Sequence, residues 1–161
     1  MALNYEIDNL DIEILNILME DAFTPYTEIG KKLFVSPGTI HVRMAKMQKL
    51  GIVKSPRLHI ELNKLGMDVT AFIGVFLVQS DMYDNVVRGL MKISEVISCH
   101  YTTGNYSLFL KIVCRDTQHL REVLHDRIQK IEGISRTETL ISLEESFDRP
   151  IQIKVPEEVK K

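Results

Sequence analysis

Apolar residues recur at three- and four-residue spacing in the N-terminal part of the chain, and this periodicity predicts amphipathic helices. A first helix is expected over about residues 8–21, with Asp8 or Asn9 as its N-cap. Its inward stripe consists of Leu10, Ile14, Ile17 and Leu18. Because Pro25 interrupts the periodicity, a second helix is expected to begin near Thr27. The side chains that it is expected to bury are Tyr26, Ile29 and Leu33.

A third helix is predicted to follow almost at once, in the sequence SPGTIHVR that starts at Ser36. Ser36 is a good N-cap and Pro37 suits the first helical position, whereas Gly51 favours a helix end near Leu50. One face of this helix carries Ile40, Met44, Met47 and Leu50. Two helices joined by a tight turn are typical of a helix-turn-helix, in which the N-terminal residues of the second helix enter the DNA major groove.

The segment after the third helix predicts a short hairpin. Two runs, Ile52–Lys54 and Leu58–Glu61, flank the turn-forming residues Ser55, Pro56 and Arg57. We expect this hairpin to lie beside the three helices as a wing, which gives a winged helix-turn-helix.

The rhythm of apolar residues changes beyond Val69, where β-prone runs alternate with helical spacing. The expected strands and helices are Val69–Gln79 (strand), Asp81–Ile93 (helix), Val96–Thr102 and Leu108–Cys114 (strands), Thr117–Ile131 (helix) and Ser135–Leu143 (strand). The order β-α-β-β-α-β is that of the ferredoxin-like split unit. The expected fold class is therefore α+β, an N-terminal winged helix-turn-helix followed by a ferredoxin-like βαββαβ domain.

A chain of 161 residues allows one large or two small domains, and the change of rhythm favours two. The expected divisions are a DNA-binding domain over 1–62, a linker over 63–68, a ferredoxin-like domain over 69–150 and a C-terminal tail over 151–161. The tail alternates Ile151, Ile153 and Val155, which is compatible with an edge strand, an arm or a loose end.

Charge is unevenly distributed along the chain, although the net charge is only −2. Residues 1–28 contain seven acidic residues and neither Lys nor Arg, whereas residues 29–60 contain seven Lys or Arg residues and no acid. Binding to phosphates needs a local positive surface rather than a basic protein, so the basic segment fits DNA. The alternative is a solvated helix face that happens to be basic.

The third helix carries the candidate DNA contacts. They are Ser36, Pro37, Gly38, Thr39, His41, Val42, Arg43 and Lys46. Arg43 is the best candidate for a bidentate contact to guanine or for a phosphate contact. Ser36 and Thr39 can bind phosphates near the helix start, where backbone N–H groups also point outward. For His41, an exposed position without a DNA contact is an equal alternative.

Several other classes of protein are disfavoured. No run approaches the roughly 20 apolar residues of a membrane span, and the N-terminal residues lack signal-peptide features, so the expected location is the cytoplasm. Cys99 and Cys114 lie in apolar runs and are expected to be buried without a disulfide. The histidines show no metal-ligand spacing, and no nucleophile elbow or phosphate-binding glycine loop is present. We therefore expect no metal, no cofactor and no enzymatic activity.

Four separate runs of the sequence, taken in order, resemble the Lrp/AsnC family of bacterial transcription regulators. These runs are Ile7–Asp11, Val35–Arg43, Thr102–Ser107 and Thr137–Ile141. The chain is most similar to the asparagine-responsive members of that family. The resemblance implies a helix-turn-helix that binds double-stranded promoter DNA and a second domain that binds a small amino acid. It also implies dimers formed through the sheets of the second domain, which commonly assemble into octamers.

The resemblance further implies an effector cleft between dimers, with the loop between the two central strands as its favoured wall. The candidate effector contacts are Tyr101, Thr102, Thr103, Gly104, Asn105, Tyr106, Arg127, Thr137 and Glu138. Glu138 is the candidate for the α-ammonium group, and Arg127 for the α-carboxylate unless it has only a surface role. Ser107 stands where leucine-responsive members carry Asp, which favours L-asparagine, although Asn105 stands where asparagine-responsive members are expected to have His.

Two alternatives remain open from the sequence. The run from Thr102 to Tyr106 is also a plain hairpin turn, since Gly-Asn is a common turn pair. The other alternative is that the chain is an amino-acid-binding oligomer of the same fold. In that case its effector is leucine or another amino acid, or its DNA binding is weak. The basic segment over residues 29–60 argues for DNA binding.

Overall fold

The computed structural model of the protein describes residues 6–56, 58 and 60–154. The described residues divide into two compact units. One comprises the residues up to Leu58 together with those from Phe147 onward, and the other runs from Ile60 to Ser146. Each unit has its own hydrophobic core. Within these ranges no helix is long and apolar enough to cross a membrane.

Three helices form the first unit close to the predicted positions. They are α1 (Asn9–Glu20), α2 (Tyr26–Leu33) and α3 (Pro37–Lys49). Helix α3 begins at Pro37 because the Ser36 hydroxyl accepts a hydrogen bond of 3.1 Å from the Thr39 backbone N–H. The buried core consists of Ile14, Ile29, Ile40, Met44 and Met47, with Leu10, Ile17, Leu18, Tyr26 and Leu33 packed against it. The predicted apolar stripes are thereby confirmed except at Leu50, which is half-buried at the C-cap of α3 and is not part of this core.

The turn between α2 and α3 is tight for two local reasons. Phe34 adopts the left-handed conformation, with φ of 57°, and so ends α2. The Val35 backbone N–H then donates to the carbonyl of Gly30 at 2.9 Å. A Cβ atom on Gly30 would lie 2.6 Å from the Val35 carbonyl oxygen, so glycine permits this close approach. The turn directs the chain into the N-cap of α3.

The predicted wing differs from the structure. Residues 52–56, 58, 60 and 61 are described, and none of them lies in a strand. Instead, the backbone N–H groups of Ile52 and Val53 donate to the Met47 carbonyl at 3.0 and 3.3 Å, which caps α3. These two donors are therefore used by the helix end rather than by a hairpin ladder. Arg57 and His59, which belonged to the predicted hairpin, lie outside the described residues.

The second unit has the predicted β-α-β-β-α-β order. Its elements are β1 (Val69–Leu77), α4 (Tyr83–Leu90), β2 (Val96–Tyr101), β3 (Leu108–Cys114), α5 (Thr117–Glu122) and β4 (Ile134–Ile141). The strands form one antiparallel sheet in the order β2-β3-β1-β4. Helix α5 continues into a π-helical turn over Val123–Ile128. The predicted ferredoxin-like α+β fold is confirmed.

The two faces of the sheet differ in what covers them. On β1, Ala71, Ile73 and Val75 belong to the core that includes residues of α4 and α5. The alternate residues of β1, which include Phe72 and Gly74, lie on the other face, as expected from the two-residue repeat of a strand. Phe72 stacks there on Phe109 of β3, with ring centroids 5.8 Å apart. The face away from the helices is thus partly aromatic.

The two cysteines do not share one environment. Cys114 is buried as predicted, and this burial raises the pKa of its thiol to about 11. The prediction that Cys99 is buried was wrong, because β2 is an edge strand and Cys99 is exposed on it. Both cysteines are free.

The C-terminal tail belongs to the first unit rather than to the sheet. Ile151 and Ile153 do not lie in a strand, so the edge-strand alternative does not hold for the described part of the tail. This part runs along the first unit as an arm. Val155, which completed the predicted alternation, lies outside the described residues.

Candidate DNA-binding surface and effector site

An open depression on the first unit brings together most of the predicted DNA contacts. It is lined by Asp8, Gly38, Thr39, Val42, Arg43 and Lys46. The other predicted contacts, Ser36, Pro37 and His41, are exposed outside this lining at the N-cap or in α3. The depression together with the N-terminal half of α3 is called the recognition surface below.

The recognition surface combines polar and apolar groups that suit a DNA groove. Near its start, the hydroxyls of Ser36 and Thr39 lie 2.9 Å apart, at the positive end of the helix dipole. Val42 is 68% exposed, and an apolar side chain on such a helix can contact a thymine methyl group. His41 packs edge-on against Tyr26 of α2, with centroids 6.2 Å apart.

Arg43 makes contacts within the protein that were not predicted from the sequence. Its Nη1 donates to Oδ2 of Asp8 at 2.7 Å and to Oδ1 of Asp11 at 2.9 Å. The Asp11 side chain is fully buried, whereas about half of the Asp8 side chain is exposed. The guanidinium therefore joins α3 to the N-terminus of α1. A guanine contact by Arg43 stays a prediction beside this interaction.

The ion pair changes the ionisation of both partners. Hydrogen bonds to Asp11 and Asp8 raise the pKa of Arg43 above its ordinary value despite its partial burial. Burial by itself raises the pKa of Asp8, but hydrogen bonds from the Asp11 backbone N–H and from Arg43 outweigh it and lower the pKa. The same Asp11 N–H caps α1 through the Asp8 carboxylate at 2.9 Å. The charged forms of Arg43 and Asp8 are thus the favoured ones.

The predicted effector loop, Thr102–Ser107, is the connection between β2 and β3. The Thr102 backbone N–H donates to the Ser107 carbonyl at 3.1 Å, and the Thr102 hydroxyl donates to the Tyr106 carbonyl. Thr103, Gly104 and Asn105 are exposed at its tip. The loop is thus a hairpin turn, as in the alternative interpretation, and it also exposes polar groups.

Two of the predicted effector residues meet across the sheet. The Tyr106 hydroxyl donates to Oε2 of Glu138 on β4 at 2.8 Å, and this hydrogen bond raises the pKa of Tyr106. Arg136 lies on the same carboxylate, with its Nη1 3.1 Å from Oε1. The Arg136 guanidinium also lies over the Phe76 ring, 3.7 Å from the centroid. This group of side chains is called the Tyr106–Glu138 site below.

Gly74 makes the Tyr106–Glu138 site possible, and sequence reasoning missed it. It lies on β1 opposite both Phe109 and Glu138, between the loop and β4. A Cβ atom at Gly74 would lie 2.4 Å from the Tyr106 ring, so only glycine lets the ring cross β1. A glycine inside a β-prone run was the available signal, since it often marks close approach of another group. Arg136 was missed too, because nothing in the pattern distinguishes it from a surface arginine.

Thr137 and Arg127 lie away from the Tyr106–Glu138 site within one chain. Thr137 pairs with Val75 on the helix-covered face of the sheet, and its hydroxyl accepts from Gln129 at 3.0 Å. Arg127 forms an ion pair with Glu95, which precedes β2, whereas the effector loop follows β2. Glu95 also interacts with His119 at 3.1 Å. Burial opposes ionisation of Glu95, but its hydrogen bonds and Arg127 lower its pKa.

The part of the chain that the structure describes contains no group of three or more His, Cys, Asp or Glu side chains that could hold a metal ion. The polar groups of the two candidate sites are donors and acceptors suited to DNA and to an organic ligand. Neither site requires a metal for these contacts.

Comparison with known proteins decides the family. Residues 7–48 match the AsnC-type helix-turn-helix domain, and residues 70–151 match the Lrp/AsnC ligand binding domain. The chain belongs to the Lrp/AsnC family. It is 46% identical to the regulatory protein AsnC of Haemophilus influenzae over 148 residues, which cover 92% of this chain and 99% of that protein. It is 45% identical to AsnC of Escherichia coli strain K12 over 149 residues, which cover 92% and 98%.

Two solved structures agree with the fold. The structure of E. coli AsnC superposes with a TM-score of 0.87 at 44% identity, over 92% of this chain and all of that chain. A Neisseria meningitidis transcriptional regulator, solved as a complex with L-Met, superposes with a TM-score of 0.86 at 21% identity over 94% and 98%. At that identity the second comparison shows the fold alone.

The family membership establishes the class of function. This Lrp/AsnC protein is a helix-turn-helix DNA-binding transcription regulator, and the relatives that cover almost its whole length are regulatory proteins rather than enzymes. The expectation of a regulator without enzymatic activity is thereby confirmed. The identity of the effector, the state of assembly and the residues that contact DNA or effector are matters of proposal, based on the geometry of the two sites.

Proposed function

We propose that the regulator changes its DNA binding or its assembly in response to L-asparagine. The observation that carries this proposal is the hydrogen bond between Tyr106 of the effector loop and Glu138 of β4. It places a carboxylate beside a loop of exposed backbone and side-chain polar groups. A site of this kind suits a small zwitterion that also carries a side-chain amide.

The groups of this site have complementary tasks in the proposal. The Glu138 carboxylate accepts from the α-ammonium group of the effector, and such a charge-assisted bond is stronger than a neutral one. The loop from Thr102 to Asn105 supplies donors and acceptors for the side-chain amide. Tyr101 stays a predicted contact at the start of this loop, although its ring packs edge-on against Tyr83, with centroids 5.0 Å apart. Thr137 and Arg127 then contact the effector only from a second copy of the chain, because within one chain both lie away from the Tyr106–Glu138 site.

Self-association follows from the sheet face that the helices leave uncovered. Phe72, Phe76 and Phe109 lie on that face, and Leu140 beside them is exposed. Pairing of two such faces removes apolar surface from water and gives a dimer. We propose that dimers assemble further, to an octamer, and that the effector binds between dimers, where the exposed tip of the effector loop at the end of this face meets a neighbouring dimer. An effector with different affinity for two assembly states shifts the balance between them.

For DNA, the proposal places α3 and its N-cap at the promoter, with seven of the eight predicted residues as contacts and Arg43 chiefly in a supporting role. Ser36, Pro37, Gly38 and Thr39 approach the phosphates near the helix start. His41, Val42 and Lys46 face the groove, and Arg43 acts chiefly by holding α3 in place. A regulator of this kind works where promoter DNA is, so we expect it in the cytoplasm.

The test is calorimetric titration of the full chain with L-asparagine, L-leucine, L-methionine and L-glutamine. Asparagine is expected to bind with defined stoichiometry, and Glu138→Gln is expected to weaken it at least about tenfold through loss of a charge-assisted bond. Glu13→Gln, which changes an exposed carboxylate on α1, is the matched control. Light scattering and DNA binding on the same samples then report assembly and output. Absence of heat with every amino acid would contradict the proposal.

A second candidate is the same regulator with a different amino acid as effector. Asn105 favours it, because this residue stands at the loop tip where asparagine-responsive members are expected to carry histidine. The Neisseria protein of the same fold was solved with L-Met. In the same titration series, tighter binding of leucine or methionine than of asparagine would favour this candidate.

A further inference from the structure

The C-terminal tail is fastened to helix α1 by a reciprocal pair of hydrogen bonds. The Asn16 side-chain amide donates to the carbonyl of Ile153 at 2.8 Å, and the Ile153 backbone N–H donates to the Asn16 side-chain oxygen at 3.0 Å. One side chain thus satisfies both backbone groups of one tail residue, as a neighbouring strand would. Both atoms of the Asn16 amide are used in this contact.

Burial on α1 agrees with a tail that lies across this helix. Ile12 is only 6% exposed although it is not part of the core cluster of the first unit. It precedes Asn16 by four residues and so lies on the same face of α1. Ile153 is half-buried, whereas Ile151 two residues earlier is exposed. The tail therefore presents Ile153 to the helix at the point where Asn16 holds it.

The course of the chain gives this contact a consequence. The chain leaves the DNA-binding unit near Leu58, forms the effector unit, and returns to the DNA-binding unit from Phe147 onward. We infer that the docked tail is a second tether, in addition to the chain connection after Leu58, and that it restrains the DNA-binding unit. Asn16 is the positioning residue that holds the tail on α1. Loss of the Asn16–Ile153 contact would release the tail from α1 and so remove this second tether.

The tail also continues directly from the strand of the Tyr106–Glu138 site. Strand β4 carries Glu138 and ends at Ile141, and the tail follows after a short segment. A change at Glu138 has a route along the chain to Ile153, and the hydrogen bonds between Ile153 and Asn16 then connect it to α1. This part of the inference rests on the proposed effector function, whereas the tether itself does not.

The test measures how freely the units move, in the absence of amino acid. One spin label is attached to the native exposed Cys99 in the effector unit and one to a cysteine introduced by Glu13→Cys on α1; Cys114 is buried and does not react. The doubly labelled chain is diluted with unlabelled chain so that only distances within one chain are measured. The variants are Asn16→Ala and Ile153→Pro, which remove the amide and the backbone N–H respectively. Ile151→Pro, at an exposed tail position, is the matched control.

A narrow distance distribution is expected for the parent and for Ile151→Pro. Asn16→Ala and Ile153→Pro are expected to widen it about twofold, because one flexible connection then remains. In the parent, amide exchange at Ile153 is expected to be about tenfold slower than in Asn16→Ala, as for loss of one hydrogen bond. A distribution that is already broad in the parent, or unchanged in both variants, overturns the tether. Equal broadening in Ile151→Pro also overturns it, since bending of the tail would then be the cause. An absent asparagine response would count only against the effector proposal.

Discussion

Arg43 of the recognition helix donates a hydrogen bond of 2.9 Å to Asp11, whose side chain is fully buried at the N-terminus of α1. The same guanidinium nitrogen contacts Asp8, so one arginine holds the capping box of α1 and the middle of α3 together. Arg43, the best candidate in the sequence for a contact to a base, therefore also links two helices of the DNA-binding unit. Substitutions at Arg43 must be interpreted through stability before they are interpreted through DNA contacts.

Arg43→Ala is expected to destabilise the DNA-binding unit by about 3 kcal/mol, because it removes a charged hydrogen-bond donor from the buried Asp11 carboxylate. Urea denaturation followed by circular dichroism measures this loss. Lys49→Ala removes a positive charge from an exposed position of the same helix and is expected to be near neutral. If Arg43→Ala unfolds at the same urea concentration as the parent but loses DNA binding, the direct DNA contact is its main role.

The lowered pKa of Asp8 predicts acid sensitivity of the same unit. A carboxylate whose pKa is lower in the folded state stabilises the fold above its unfolded pKa of about 3.8, and this stabilisation is lost as the pH falls through the folded value. Asp8→Asn keeps an N-cap but removes the charge. The parent is therefore expected to lose more stability than Asp8→Asn between pH 5 and pH 2. Thermal unfolding at a series of pH values tests this, with Glu13→Gln as control; parallel curves for the parent and Asp8→Asn would contradict it.

Much of this fold was predictable because its helices and strands have regular apolar spacing. The stripe of Ile14 on α1 and the alternation of Ala71, Ile73 and Val75 on β1 are local patterns, and the structure buries these residues. The prediction of the wing failed because the backbone N–H groups of Ile52 and Val53 donate to the end of α3 instead of to a partner strand. A β-prone run does not reveal which acceptor its donors will find.

The candidate sites were less predictable for a different reason. Arg43 and Asp11 are 32 residues apart, as are Tyr106 and Glu138. Such pairs depend on which elements the fold brings side by side, and no local spacing encodes that. The residue types still carried information, since Glu138 and Tyr106 were both expected at the effector site before their contact was known. The role of Gly74 was not predicted, although the absence of a side chain there is what lets the Tyr106 ring cross β1.

The backbone conformation of Phe34 leads us to expect that a substitution there stabilises the protein. It is 94% exposed and holds a left-handed conformation, which costs a side chain with a Cβ atom about 1 kcal/mol. Phe34→Gly removes this cost and is expected to raise the stability of the DNA-binding unit by about that amount. Phe23→Gly, at another exposed phenylalanine in a turn, is the control and is expected to give no gain. Equal unfolding midpoints for Phe34→Gly and the parent would show that the turn tolerates Phe34 without strain.

Gly74→Ala is expected to disrupt the Tyr106–Glu138 site, because the added methyl group would lie 2.4 Å from the Tyr106 ring. The ring must move, the hydrogen bond to Glu138 is lost, and the overpacking costs about 1–3 kcal/mol. The pKa of Tyr106 should then fall toward its ordinary value, since the Glu138 hydrogen bond is the main cause of its increase. Ultraviolet titration reports this change, with Tyr106→Phe to assign the signal, and thermal unfolding reports the cost.

Gly104→Ala is the matched control for Gly74→Ala, because a methyl group on Gly104 would meet no atom within 4 Å. It adds the same group to the effector loop itself and should leave both the Tyr106 titration and the unfolding midpoint unchanged. If Gly74→Ala keeps the raised pKa of Tyr106, the ring reaches Glu138 by a route that does not cross Gly74, and the assigned role of this glycine is wrong.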